Sequence, residues 1–350
     1  MVSADAIKRH ALALGFDLCG IAPATALPEL AYLPEWLANG YAGEMVYMEK
    51  SATTRADVRN LLPSARSVIV TGTLYNTESG AGHREPGAGD AVRVARYARG
   101  EDYHLVLAER LQRLIDWMRA ETAEGFDAAL FVDKHHVQER VYAQHAGVGW
   151  IGKNSCVINP ELGSYLFLSG VAVSLPLDSD APGLDRCGAC TLCIDACPTG
   201  ALVDPHVLDA TKCISYLTIE LPGPIPEAQR PQIGNHLYGC DICQEVCPWN
   251  LASARTADPA WHATRRDGAR AGELWQRTDD GLHQFVKGSA MTHLSLAGLR
   301  RNLATVIGNC GDRSLAAALE RPGHGVKNAA HSAHTPMVQD AVAWAKQRLI

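Results

Sequence analysis

The 350-residue chain carries 32 Lys and Arg against 38 Asp and Glu, a net charge of −6, which argues against a strongly basic nucleic-acid-binding protein. A hydrophobic fraction of 47% supplies a sizeable core, and this length predicts two or three domains. No apolar run approaches the roughly 18 residues needed to span a bilayer, and the start MVSADAIKRHALALGF lacks the apolar core and cleavage site of a secretory signal.

That start reads as a helix capped by Ser3 and stopped at Gly15. FDLCGIA (16–22) and SVIVTGTLY (67–75) are short, apolar and partly β-branched, and so predict buried strands. Residues 76–91, NTESGAGHREPGAGDA, predict a long flexible loop, more simply a disordered insertion than a lid. YHLVLAERLQRLIDWMRA (103–120) has the periodicity of an amphipathic helix. AALFVD (128–133) and SYLFLSGVAVS (164–174) predict two further strands, the second following the turn NPELG. GVGWIG (147–152) lacks the strand-then-helix setting of a dinucleotide fingerprint, and no phosphate-binding loop is present. Helix and strand signals mixed in this way predict an α/β or α+β domain.

The densest chemical signal follows. CGACTLCIDACP (187–198) spaces Cys187, Cys190, Cys193 and Cys197 as C-x2-C-x2-C-x3-C-P, the bacterial ferredoxin pattern. CDICQEVCP (240–248) repeats its tail with Cys240, Cys243 and Cys247, and Cys213 lies between the two runs. Eight thiolates suffice for two [4Fe–4S] clusters. In two-cluster ferredoxins the fourth cysteine of a run serves the other cluster. That rule assigns Cys187, Cys190, Cys193 and Cys247 to one cube, and Cys197, Cys213, Cys240 and Cys243 to the other. A zinc ribbon needs only paired C-x2-C units, without the third cysteine or the repeated Cys-Pro. A disulfide framework suits a small secreted chain. Cys19, Cys156 and Cys310 read as ordinary small buried residues. Reduced thiols without a targeting segment predict a cytoplasmic protein. Cubes with four thiolates leave no open iron, so they predict an electron relay, and the first 180 or so residues are expected to hold the acceptor: flavin, corrinoid or another protein.

After Pro248 the chain becomes Ala- and Leu-rich. SLAGLRRNLATVIGNCG (295–311), SLAAALER (314–321) and MVQDAVAWAKQRLI (337–350) predict helices, with breaks at Gly308 to Gly311 and at RPGHG. Paired helices of a HEAT type that cap another domain would fit. Residues 251–350 hold 13 Lys and Arg against 8 Asp and Glu, net +5, leaving −11 for the first 250. Such a tail is compatible with a polyanionic partner, and equally with a solvated helical surface.

ARYARGEDYH (95–104), GVGWIGKNSCVINPELGSYLFL (147–168), CGACTLCIDACPTGAL (187–202), LDATKCISYLTIE (208–220), IGNHLYGCDICQEVCPWN (233–250) and GLRRNLATVIGN (298–309) together resemble the epoxyqueuosine reductase family. CISYLTIE followed by YGCDxCQxVCPWN is the specific part; bare ferredoxin spacing is shared by many electron carriers. The resemblance implies an α+β fold in three parts. These are a nitroreductase-like cobalamin-binding catalytic domain (1–178), a ferredoxin-like two-cluster domain (179–255) and a HEAT-like helical segment (256–350). It implies a cobalamin reduced by the clusters, and removal of the epoxide oxygen of epoxyqueuosine at the wobble position of transfer RNA with GUN anticodons. An external electron donor is also implied.

The same resemblance implies Asp133 as the proton donor. Such an acid must hold a proton near neutrality, which an ordinary aspartate does not, so burial over the corrin is expected to raise its pKa. The simpler alternative is that Asp133 caps a helix starting near Val137. Similar proteins carry a small residue, any residue and Pro after this aspartate, whereas this chain has Lys134, His135 and His136. Arg55, Tyr97, Asn159, Ser215 and Asp241 match positions near the corrinoid. Their plainer readings are a surface charge, a packed aromatic, a turn residue, a helix cap and a local hydrogen-bonder. The insertion after Cys213 is a further candidate for the cobalamin tail, and Arg300, Arg301 and Lys327 are candidates for phosphate contacts. Three competing functions stay open: a corrinoid reductase of a small molecule, as in reductive dehalogenation, a non-catalytic electron carrier, and a zinc-stapled nucleic-acid-binding module.

Overall fold

The four apolar runs become one antiparallel sheet: β1 (Leu18–Pro23), β2 (Ser67–Leu74), β3 (Ala128–Phe131) and β4 (Leu166–Val173), in the order β1-β2-β4-β3. The computed structural model describes residues 2–77, 89–251, 253–262, 266–320 and 331–350. All eight residues of β2 are buried, which explains why its sequence runs apolar without alternation: both faces are covered. Phe131 pairs with Gly170 across β3 and β4. A Cβ on Gly170 would meet the Phe131 ring and the Ile69 carbonyl, so only glycine lets the ring lie flat there. Every strand pairing in this sheet is antiparallel. The rule that open parallel sheets bind ligands at strand C-termini therefore does not apply; Asp133 is placed by the turn that leaves β3.

Two long helices match the sequence reading. Ala4–Ala13 is capped by Ser3, whose Oγ accepts the Ala6 N–H at 3.2 Å. Tyr103–Glu121 is capped by Asp102 and buries Leu107, Leu111, Leu114, Ile115 and Met118, an apolar stripe worth roughly 1.5–3 kcal/mol per side chain. Replacing Leu111 or Leu114 by Ala would cost roughly 2–5 kcal/mol. The helix after Asp133 runs Glu139–His145, and its N-cap is Gln138. Asp133 does not cap it, so the capping alternative fails.

The C-terminal half holds Leu296–Asn309, buried continuously from Gly298 to Gly308, packed on Pro336–Leu349. Both belong to the core that contains Ile7, Leu111 and Val171, so these helices share one apolar core with the sheet. Residues 314–321 do not form the expected helix. The Asp312 carboxylate bonds the Ser314 N–H at 3.0 Å, and the described part forms only 3-10 turns, Arg313–Leu315 and Ala318–Glu320. The side chain offers the backbone a competing partner.

Arg300 and Arg301 are not surface cations: both are 0% exposed. Arg300 pairs with Asp279 at 3.0 Å and donates to the Trp275 and Arg277 carbonyls. Arg301 donates to the carbonyls of Leu217, Leu221 and Gly223. Their expected role on phosphate is overturned, because the helix that carries them is covered on every face from Gly298 to Gly308. Lys327, the RPGHG break and residues 78–88 of the glycine-rich loop lie outside the described residues.

Candidate functional site

The chain leaves β3 through a tight turn in which Asp133 adopts φ 47°. This left-handed geometry is uncommon for a residue with a side chain, and such conformations concentrate at functional sites. The N-terminus of helix Tyr103–Glu121 arrives beside it. Tyr103 donates its O–H to Asp133 Oδ2 at 2.7 Å, and His104 Nε2 lies 3.2 Å from the same oxygen. The other ring nitrogen, Nδ1, lies 2.6 Å from Asp102 Oδ1. A carboxylate–imidazole–carboxylate chain results.

The expected upward shift of Asp133 is not found. Burial pushes its carboxyl up, but hydrogen bonds from His104 and Tyr103 and the charges of His104 and Arg55 outweigh that and leave it below the ordinary value. The side chain is 62% exposed by surface area, so geometry gives the hydrogen bonds the larger say. Lys134 is exposed, and His135 Nδ1 accepts the Val132 N–H at 3.1 Å. His135 thus shapes the turn.

Behind the turn lies a cavity of about 580 Å³ whose walls include Trp36, Met48, Arg55, Val137, Glu139 and His206. Among the predicted cofactor contacts, Arg55 lines it. Its guanidinium donates to Ser51 Oγ at 2.9 Å and to the Val137 carbonyl at 3.2 Å, and acts electrostatically on Asp133. Tyr97 stands with Tyr103 and Tyr238 on the floor beneath Asp133 and hydrogen bonds Tyr238. Asn159 is engaged in its own turn, with Nδ2 donating to Val148 O at 2.7 Å and Oδ1 accepting the Glu161 and Leu162 N–H groups. Asp241, buried, accepts the Arg96 N–H at 2.8 Å. Ser215 sits in the first turn of helix Ile214–Ile219, after Cys213.

Three groups near Asp133 escape sequence reasoning. Glu220, which ends CISYLTIE, pairs with His293 at 3.5 Å and hydrogen bonds Tyr47. Both His293 and Tyr47 feel the Asp133 charge as well. Glu139 is the third: burial, then the Asp133 charge, pushes its carboxyl up to about 8, and its buried Oε1 has no partner. Of these residues only Glu220 lies inside a motif quoted above, and only the fold brings segments so distant in sequence to one place.

The cysteines fall into two sets of electrostatic neighbours. Cys193 and Cys247 both feel Cys187, and Cys193 also feels Cys190. Cys240 feels Cys213 and Cys197, and Cys243 feels Cys240 and Cys213. Cys156 was expected to be an ordinary buried thiol; instead it hydrogen bonds Cys243. Among the described residues no three His, Cys, Asp or Glu side chains group closely enough to hold a single metal ion.

The GVGWIGKN segment straps both cysteine runs to the sheet domain. Lys153 Nζ donates to the carbonyls of Gly188 and Cys190 at 2.7 and 3.0 Å. Asn154 Nδ2 reaches Cys243 O at 3.3 Å, and Trp150 Nε1 lies 3.5 Å from Cys187 Sγ.

A mixed helix–sheet protein with an eight-cysteine module strapped beside a carboxylate-bearing cavity belongs among the iron–sulfur oxidoreductases. Residues 186–250 match the family described as a 4Fe-4S double cluster binding domain, and residues 55–134 match the family described as epoxyqueuosine reductase QueG. The epoxyqueuosine reductase of Gloeobacter violaceus is 43% identical over 329 residues, spanning 90% of this chain and 99% of that one. The Escherichia coli K12 enzyme of the same name is 36% identical over 347 residues, spanning 98% and 88%. A crystal structure of an epoxyqueuosine reductase with an epoxyqueuosine-modified tRNA-Tyr stem loop superposes with a TM-score of 0.86 at 29% identity, covering 99% of this chain and 89% of the other. The Bacillus subtilis enzyme, solved with a catalytic aspartate loop swung out of its active site, also gives 0.86 at 28% identity. The chain belongs to the epoxyqueuosine reductase family.

Proposed function

We propose that this protein reduces the epoxide of epoxyqueuosine at the wobble position of transfer RNA to the cyclopentene of queuosine. Epoxide, two electrons and two protons yield alkene and water. The observation that carries the reading is the proton chain Asp102–His104–Asp133, in a fold that superposes on a reductase holding that modified stem loop. Two [4Fe–4S] clusters carry the electrons, one on Cys187, Cys190, Cys193 and Cys247, the other on Cys197, Cys213, Cys240 and Cys243. The neighbour relations among these thiols support that division. The electrons come from an external donor.

Part of a cobalamin fits the cavity on two observations: its largely apolar wall, which includes Arg55, and the buried oxygen of Glu139 that lacks a partner. When bound it supplies a strongly reducing cobalt for the two-electron step. Arg55 and Glu139 would hold it. The chain's own residues manage the protons. Tyr103 fixes one lone pair of Asp133 Oδ2, and His104 shares a proton with the same oxygen. With the proton on the imidazole, Asp133 is an anion in open solvent. When substrate covers the 62% exposed side chain, desolvation favours its neutral form and the proton moves to Oδ2, from which the departing epoxide oxygen takes it. The left-handed turn lets this carboxyl swing, as the aspartate loop of the Bacillus subtilis enzyme does. Among the described residues no helix is long and apolar enough to cross a membrane, which accords with work on transfer RNA in the cytoplasm. The nitroreductase-like, ferredoxin-like and HEAT-like divisions at 178 and 255 remain the working domain scheme.

The test is anaerobic reconstitution with iron, sulfide and cobalamin, then reaction with transfer RNA carrying epoxyqueuosine. Asp133→Asn should keep both cofactors and lose roughly 100-fold or more of turnover. A loaded wild-type protein that leaves this substrate intact under a competent reductant would refute the reading.

A further inference from the structure

Glu139 has no place in the proton chain, yet it is the carboxyl in this region whose buried oxygen Oε1 lacks any hydrogen-bond partner. Its own backbone N–H bonds the carboxyl, and the side chain lines the cavity behind Asp133. The nearby cations do not satisfy it. Arg55 donates to Ser51 Oγ and Val137 O, and Arg140 donates to Ser155 O at 2.7 Å. The surrounding wall is largely apolar, with Leu33, Trp36, Val141 and Ile151, and also carries Gln138, Gln144 and the ionisable side chains of Glu29, Asp185 and His206. A buried acceptor without a partner is rare in native proteins and calls for a neighbour that completes it. A carboxylate here would be costly, whereas a neutral carboxyl offers one O–H donor and one carbonyl acceptor side by side. That pair complements a primary carboxamide, which presents C=O and N–H side by side.

We propose that Glu139 binds a carboxamide side chain of the corrinoid as a neutral acid, donating its O–H to the amide oxygen and accepting the amide N–H at Oε1. The inference rests on the cobalamin reading above and adds to it a specific contact and a pH limit. Burial, reinforced by the Asp133 charge and opposed by Arg55 and Arg140, pushes the Glu139 carboxyl up to about 8. Glu29, Asp185 and His206 line the same cavity. Retention of the cofactor should therefore hold below that pH and weaken above it, as the carboxyl loses its donor.

The test is equilibrium dialysis of cluster-loaded, full-length protein against cob(II)alamin under anaerobic conditions from pH 6 to 9, read by corrinoid absorption. Wild type should bind with constant affinity to about pH 7 and lose about tenfold between pH 7 and 9. Glu139→Gln, which keeps a donor and an acceptor but cannot titrate, should stay within threefold of wild type at pH 7 and remain flat to pH 9. Glu139→Ala should bind at least tenfold more weakly at pH 7. Wild-type binding that is flat from pH 6 to 9, or a Glu139→Ala protein that matches wild type, overturns the proposal alone. Wild-type protein that binds no corrinoid at any pH overturns the cofactor reading and this proposal together.

Discussion

Arg301 offers a direct test of how this fold uses its basic residues. The guanidinium is fully buried and donates to the carbonyls of Leu217, Leu221 and Gly223. These carbonyls end helix Ile214–Ile219 and the turn after it, the element that follows Cys213 and leads into Glu220. Burial, together with the charge of Arg230, lowers its pKa to about 10, so the group stays charged at neutral pH. Arg301→Met removes the donor from four acceptors, these three carbonyls and Asn302 Oδ1, and each buried orphan costs roughly 1–3 kcal/mol. A total loss of about 4–12 kcal/mol follows, which rivals the whole stability of many domains. Arg301→Lys, which keeps a charge and three donors but lacks the reach of the planar fork, should fall between. The assay is anaerobic urea unfolding of cluster-loaded protein, paired with transfer RNA binding across a salt series. The expected result is a lower midpoint with an unchanged logarithmic salt slope. A variant as stable as wild type whose salt slope drops by about 1 would mean that Arg301 touches phosphate after all, and the buried assignment would be wrong.

His104→Gln should reduce turnover by roughly 100-fold and flatten the pH–rate profile, while cluster content stays at eight irons; an unchanged profile would remove the imidazole from the proton path. Glu139 is also a stability probe. Its folded value of about 8 exceeds the ordinary 4.5, so the native state holds a proton that the unfolded chain releases, and stability falls as pH rises from 4.5 to about 8. The ceiling is about 5 kcal/mol. The melting temperature of Glu139→Gln relative to wild type, measured without cobalamin, should climb across that window and then level; a constant difference from pH 5 to 9 would count against a buried neutral acid. Cys213→Ala and Cys247→Ala should each remove a ligand from a different cube. Iron analysis and electron paramagnetic resonance should find about four irons and one distinct surviving signal in each; the same signal from both would break the crossed assignment.

The strands were readable because each is a short, apolar, partly β-branched run, and the helix from Tyr103 because its apolar side chains recur at helical spacing. The cysteine spacing was equally plain, since covalent cluster chemistry constrains it locally. What stayed hidden depends on tertiary contacts. Arg300 and Arg301 look basic in a one-dimensional charge count, but their helix is buried on every face. Asp133 was expected to gain its proton by burial, and instead two neighbours from the helix at Tyr103 stabilise its anion. Glu139, Glu220 and His293 come from segments far apart in sequence, and no local pattern announces their meeting. Residues 314–321 carry helical composition, but one aspartate side chain competes for the backbone at their start.

The core that joins Ile7 and Leu111 to Leu303 and Trp344 also takes in Leu237 and Tyr238, immediately ahead of Cys240. The electron-carrying portion is therefore not a cassette hung from one end of the chain. It is threaded between two halves of a single apolar mass, and its second cysteine run is anchored in that mass on one side and by Asn154 on the other. Transplanting residues 186–250 alone into another scaffold would sever both anchors. Recombination that exchanges such modules must carry the flanking helices too, which makes the whole chain the smallest heritable unit of this redox machine.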